Sequence, residues 1–258
     1  MSRIRSPQLT HFLSIPLAAP SLTASLSALR RDVLTTLPGF PVKAIRPVAT
    51  IHLTLGVMAL DIAGPRLKAA TDALLSLPDS APDIIPGMPI QVGLRGLSMF
   101  DGSTTSEANV VFANAYGDDV TRLQEFANRV SRHFIELGFV VDTSVKNNKN
   151  NNGDDIGSPG AENEGVALHA TVLNTRYASY FAPVASSNEG GVDVDRKKGK
   201  KRYRKIRPSF DATELLTKFE NTVFMEPMHI DKVAICKMGE RKVEDGGGYE
   251  IIAYISLP

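Results

Sequence analysis

The chain has 258 residues, enough for one large or two small domains, and 43% are hydrophobic, which supplies a sizeable core. A net charge of +1 excludes wholesale electrostatic capture of nucleic acid, so any such contact must be local. The lone cysteine, Cys236, excludes an intrachain disulfide or a cysteine-rich zinc site and fits a reducing intracellular compartment; no apolar run suits a signal peptide or a membrane span.

In chain order, Thr10 to Leu17 reads as a strand. Ser21 to Leu37 has helical spacing, with Leu22, Leu26, Leu29 and Val33 on one face and Ser21 as the cap. A loop runs from Pro38-Gly39 to Pro47, and a strand covers Ile51 to Leu60. Pro65 to Leu77 is predicted as a helix with Pro in its first turn, followed by a loop from Asp79 to Pro89. Strands at Ile90 to Met99 and Asn109 to Tyr116 flank a turn at Gly102 to Ser106. Asp118 to Leu137 is an amphipathic helix burying Val120, Leu123, Phe126, Ala127, Val130 and Phe134; Gly138 caps it and Phe139 to Asp142 begins a strand.

The Asn-rich stretch Lys146 to Asp155 has no means to form a core and reads as a disordered insertion. A strand follows at Val166 to Asn174, then a polar stretch from Ser186 to Arg207 that reads as a second surface insertion. Asp211 to Phe219 is a short helix capped by Asp211. Strands at His229 to Met238 and Tyr249 to Leu257 form a hairpin around Gly246-Gly-Gly248. The expected organisation is one domain over 1–258, with disordered insertions at about 145–164 and 186–205. Outside the insertions, strands and helices recur in two similar halves.

Each half contains one copy of a tetrapeptide: His52-Leu-Thr-Leu55 and His169-Ala-Thr-Val172. Side chains two apart on a strand point the same way, so each strand presents an imidazole beside a hydroxyl, His52 with Thr54 and His169 with Thr171. Two such strands facing one cleft supply two acid–base groups and two hydroxyl donors, a kit for cutting a phosphodiester without metal. The same pattern also fits packed core histidines beside threonines of high strand propensity.

Four stretches together resemble the 2H phosphoesterases, the superfamily of 2′-5′ RNA ligase-like and cyclic phosphodiesterase proteins. They are Thr10-His-Phe-Leu-Ser-Ile-Pro-Leu17, His52-Leu-Thr-Leu-Gly-Val-Met58, Leu168-His-Ala-Thr-Val-Leu-Asn-Thr175 and Ser209-Phe-Asp-Ala212. The closer match is to the branch with the A-kinase anchor protein nuclear-localisation-signal domain, shared with subunit 1 of the activating signal cointegrator complex. In that branch a Lys often stands two residues before each motif His; here those places hold Thr50 and Ala167. The cointegrator subunit's KH domain is not expected here: Gly93-Leu-Arg-Gly96 matches the short KH loop pattern but lies in a strand-like run.

The resemblance implies an α+β fold of two pseudo-equivalent lobes, each a mainly antiparallel sheet with outer helices, around a central cleft. It places His52 and His169 on opposing central strands as catalytic acid and base, with Thr54 and Thr171 holding phosphate. It implies an RNA or oligonucleotide substrate with a 2′,3′-cyclic phosphate or 2′-5′ bond, no cofactor and no metal. The rival expectation is a catalytically weak RNA- or protein-binding subunit of a nuclear transcription-coactivator and alkylation-repair complex. Localisation is expected to be nuclear, cytoplasmic or both, with no membrane partner.

Arg196 to Arg207 is nearly all cationic and fits three compatible readings: a solvated loop, a nuclear localisation signal, or a guide for RNA phosphate, with Tyr203 placed to stack on a base. Arg176 and Tyr177, directly after the second motif strand, are rim or core residues with a route to substrate. His11, His133 and His229 read as structural. Metal chemistry finds no His-Glu-x-x-His pattern, and Asp154-Asp155 lie in the Asn-rich segment.

Overall fold

A computed structural model describes residues 8–141, 165–183, 203–240 and 247–258. Alternating apolar residues build two four-stranded antiparallel sheets, each with one face on a common core. The first contains β1 (His11–Pro16), β2 (His52–Met58), β9 (Lys232–Glu240) and β10 (Tyr249–Ser256), in the order β10-β9-β1-β2. The second contains β3 (Gln91–Ser98), β4 (Val110–Tyr116), β5 (His169–Asn174) and β8 (Val223–His229), in the order β5-β4-β3-β8. A separate two-stranded ribbon pairs β6 (Tyr180–Pro183) with β7 (Tyr203–Ile206).

The expected α+β architecture with outer helices is therefore present, with two refinements. The sheets are not the two halves of the sequence: the first takes two strands from each end of the chain, the second takes the middle. The motif strands are not central within their sheets: β2 and β5 are each an edge, and the two edges lie against one another.

The helices are α1 (Pro20–Thr36), α2 (Pro65–Ser80), α3 (Val120–Glu136) and α4 (Thr213–Phe219). Helix α1 buries Leu22, Leu26, Leu29 and Val33 as expected and packs on β8. It starts one residue earlier than the sequence suggested, because Pro20 with its fixed φ occupies the first turn in place of a Ser21 cap. Helix α2 runs through Pro78 to Ser80; the proline costs one backbone bond, but Ala81 N–H still donates to Leu77 O at 3.0 Å. Helix α3 buries its predicted stripe except for Val120, and Gly138 (φ +74°) ends it. Helix α4 starts at Thr213, with Asp211 accepting from Thr213 N–H at 2.9 Å.

Three strand expectations change. A single strand from His229 becomes two, because the chain breaks at Ile230-Asp231 between β8 and β9. β8, which the sequence reading did not include, holds Pro227 because it is an edge strand, where a missing N–H is tolerated. The strand expected from Phe139 reduces to one bridge, Val140 to Met58, with Val141 N–H donating to Val57 O. The first expected insertion lies outside the described residues, as does the second up to 202; Tyr203 to Lys205, at its end, are part of β7.

The KH-like tetrapeptide sits inside β3, and each glycine has a local reason. A Cβ on Gly93 would fall on the Tyr116 ring and 2.7 Å from Met225 O. Gly96 has φ +67°, which favours glycine, and forms part of a bulge between Arg95 and Leu97. Gly93→Ala is expected to destabilise the protein by about 1–3 kcal/mol, because the obstacle is backbone and a ring rather than a flexible side chain. Urea unfolding of the variant beside the parent measures this.

Candidate active site

The edge position of β2 and β5 brings the motif residues together. Arg46 N–H donates to Val172 O at 2.9 Å, and Ile45 bridges to Leu173, so the segment entering β2 is tied to β5 by backbone. Strand alternation puts Leu53, Leu55, Ala170 and Val172 in the core and leaves His52, Thr54, His169 and Thr171 partly exposed on the opposite faces.

The two imidazoles are held alike. His52 Nδ1 lies 2.7 Å from Thr50 O, and His169 Nδ1 lies 2.7 Å from Ala167 O, each carbonyl two residues upstream. A carbonyl only accepts, so Nδ1 carries the proton in both rings and Nε2 keeps its lone pair. Thr54 Oγ1 is 3.0 Å from His52 Nε2 and, in that tautomer, donates to it. The backbone thus orients both rings, a task that does not depend on the side chain at position 50 or 167.

Aromatic rings pack each imidazole. Phe12 lies 4.8 Å and Tyr249 5.3 Å from His52; Phe100 lies 4.9 Å and Phe112 5.0 Å from His169 (ring centroids). This walling removes water and lowers both pKa values from the ordinary histidine range. Burial brings His52 down to about 4, against the favourable Thr50 carbonyl, with repulsion from His169 and Arg46 adding to it. Burial also lowers His169, opposed by the Ala167 carbonyl. The two rings are close enough for a charge on one to act on the other.

Sequence reasoning missed Arg46 and Tyr249. Arg46 is only 6% exposed; its guanidinium lies 3.6 Å from the Tyr177 ring centroid and its Nη2 donates to Tyr249 Oη at 3.1 Å. Tyr177 Oη and Tyr249 Oη are 3.2 Å apart. Tyr249 therefore joins His52 to Arg46 and Tyr177, which places Tyr177 at the rim rather than in the core. No motif marks Arg46 or Tyr249: Arg46 lies in the loop before β2, and Tyr249 opens β10, which reaches His52 only as a strand of the same sheet. Arg176 is exposed, its N–H donating to Asn174 Oδ1.

A recess of about 50 Å³ beside His52 is lined by Phe12, Ser14, Thr50, Cys236 and Tyr249, among others. Cys236 is buried, 3.6 Å from Ser14 Oγ, and burial raises its pKa, which favours the thiol over the thiolate. The remaining histidines lie apart from this cleft: His11 is fully buried on β1, His133 stacks on Phe134 in α3, and His229 bonds Pro258 O. Among the described residues, no group of three or more His, Cys, Asp or Glu is placed to hold a metal ion, and no helix is long and apolar enough to cross a membrane.

Residues 9–257 match the family model of the AKAP7 2′5′ RNA ligase-like domain. The chain belongs to this family. The 2H phosphoesterase resemblance read from the motifs is thus borne out over nearly the whole chain. Among curated relatives, activating signal cointegrator 1 complex subunit 1 of Mus musculus is 27% identical over 229 residues, covering 86% of this chain and 56% of the relative. The chain thus matches about half of that relative's length. The crystal structure of TT0787 of Thermus thermophilus aligns with a TM-score of 0.47 at 16% identity, over 96% of this chain and 97% of the other.

The lowered histidine pKa values set a pH dependence of stability. In the unfolded chain a histidine takes up its proton near pH 6.5, whereas folded His52 resists until about 4. Between these values the unfolded state binds more protons, so stability falls as pH drops from about 6.5 towards 4, and this contribution is flat above that window. A His52→Gln variant should show a shallower fall of melting temperature over the same interval.

Proposed function

We propose that this protein is a metal-independent phosphodiesterase acting on RNA ends or short oligonucleotides with a 2′,3′-cyclic phosphate or a 2′-5′ linkage, by acid–base catalysis between His52 and His169. The supporting observation is the matched pair of Nδ1–H···O=C bonds on two abutting strands, which gives both rings the same tautomer with Nε2 as the basic nitrogen. The proposal takes 1–258 as one bilobal unit.

Cleavage needs one imidazole neutral and one protonated. Arg46 and a charged His169 both push His52 lower, against the Thr50 carbonyl. We therefore assign the proton to His169. In this assignment His52 Nε2 takes a proton from water, or from a ribose hydroxyl when a 2′-5′ bond is cut. The new P–O bond forms, the bond to the leaving oxygen breaks, and His169 Nε2–H protonates that oxygen. Thr171 donates to a phosphoryl oxygen as charge builds, and Thr54, whose hydroxyl donates to His52 Nε2 at rest, turns to the phosphoryl group once that lone pair takes the incoming proton. With both rings neutral at rest at pH 7, the anionic phosphate favours entry of the proton that His169 needs.

The second reading is a catalytically weak RNA- or protein-binding subunit of a nuclear transcription-coactivator and alkylation-repair assembly, present in nucleus, cytoplasm or both. It draws on the relative's name as a complex subunit and on Thr50 and Ala167 in the lysine places.

Incubation in EDTA with 2′-5′-linked, 3′-5′-linked and 2′,3′-cyclic oligoribonucleotides separates the readings. Cleavage is expected, reduced roughly 10²- to 10⁴-fold by His52→Ala or His169→Ala. Loss of cleavage on chelation with recovery on added metal would sink the metal-free reaction. No cleavage, with equal RNA binding by the parent and the double alanine variant, would favour the binding subunit.

The acid–base assignment has its own signature. The profile of kcat/KM should be bell-shaped and peak between about pH 4 and 6.5, because both limbs report lowered histidines. Arg46→Gln should move the acidic limb to higher pH and leave the basic limb in place, with Arg46→Lys close to the parent. Movement of the basic limb instead would reverse the two roles.

A further inference from the structure

The β6–β7 ribbon is unexplained by the cleft chemistry. It leaves the site directly: β5 ends at Asn174, a 3-10 turn over Thr175–Ala178 carries Arg176 and Tyr177, and β6 starts at Tyr180. Tyr177 is bonded to Tyr249, whose ring packs on His52, so the ribbon begins at the rim of the candidate active site. Its tyrosines stand out towards solvent: Tyr180 is 54% and Tyr203 57% exposed. Arg204 and Lys205 are exposed as well, and the stretches 174–183 and 203–210 contain no Asp or Glu.

Register sorts these side chains by face. Tyr180 pairs with Ile206 and Ala182 with Arg204, so Tyr180 and Arg204 share one face. Phe181 pairs with Lys205 and Pro183 with Tyr203, so Lys205 and Tyr203 share the other. Each face therefore combines one exposed aromatic ring with one cation. A solvated ribbon has no need of two largely exposed tyrosines, and an apolar partner has no use for the cations. A single nucleic-acid strand uses both, since bases stack on aromatic rings while phosphates pair with Arg and Lys.

We infer that the β6–β7 ribbon binds single-stranded RNA, holding the nucleotides beyond the reactive linkage through Tyr180 and Arg204 on one face and Tyr203 and Lys205 on the other. This rests on the proposed RNA substrate and extends it: the preferred substrate is the end of a longer single strand rather than a free dinucleotide.

The test is fluorescence anisotropy with labelled oligoribonucleotides of two, four, eight and twelve nucleotides, in the full chain carrying His52→Ala/His169→Ala so that binding is read without turnover. Affinity should rise with length for single strands and not for duplexes. Tyr180→Ala/Tyr203→Ala should weaken the eight-mer by at least about tenfold, the lower part of what lost base stacking implies, and leave the dinucleotide unchanged. Arg204→Gln/Lys205→Gln keeps both rings and should reduce the salt slope of log K by about 1.4, for two phosphate contacts on a single strand.

No gain with length, equal gain for duplexes, or eight-mer binding unaffected by either variant would each overturn the ribbon. Failure here is distinct from failure of the catalytic reading. Cleavage of a dinucleotide with no length effect removes the ribbon alone. Length-dependent binding lost in the ribbon variants, in a protein that cleaves nothing, supports the ribbon and removes the catalysis.

Discussion

The candidate site depends on a junction between two sheet edges. β2 and β5 belong to different sheets, and the segment entering β2 is joined to β5 by the Arg46 N–H to Val172 O bond and the Ile45–Leu173 bridge. Edge strands ordinarily carry unsatisfied backbone and invite unwanted pairing. Here the edges partly cover each other, and the residues along the seam are the two His-x-Thr pairs. Apolar positions of both strands reach into one shared core, so the seam is fixed from behind by packing as well as along its length by backbone bonds.

That construction accounts for the electrostatics. Each ring on the seam is walled by its own side of the junction: His52 by Phe12 and Tyr249 of the first sheet, His169 by Phe112 of the second and the neighbouring Phe100. Aromatic walls exclude water, and the strong polar partner of each Nδ1 is the backbone. Desolvation then outweighs the carbonyl bond, and both imidazoles rest neutral at physiological pH. Such a site is quiet towards protons until an anion enters, which suits a group that must change charge during a reaction.

Much of this was legible in the chain. Alternation located most of the main strands, the 3.6-residue period located the four helices, and the repeated His-x-Thr spacing pointed to the residues that meet at the seam. Local rules misled where tertiary context overrode them. β8 was not read as a strand: its run Val223 to His229 is interrupted by Glu226-Pro227, which only an edge strand accommodates readily. The polar character of 186–207 hid β7, whose exposed ribbon has no buried face to create a period. Arg46 and Tyr249 were invisible because their relation to His52 exists only after strands about 200 residues apart in sequence have been brought into one sheet.

The interleaved connectivity also bears on how the protein is made. β1 lies between β2 and β9, and β3 lies between β4 and β8, so each sheet waits for strands that begin after residue 222. During synthesis both motif strands leave the ribosome well before either sheet can close. The nascent chain thus carries two incomplete sheets with exposed apolar faces until its last strands arrive, and non-local pairing of this kind is slow to form. A truncation within β9 would strip a partner from β1 and remove β10 altogether, and a premature stop before β8 would damage both lobes together. Loss of a short C-terminal segment is therefore a defect of chaperone load and turnover as much as of chemistry.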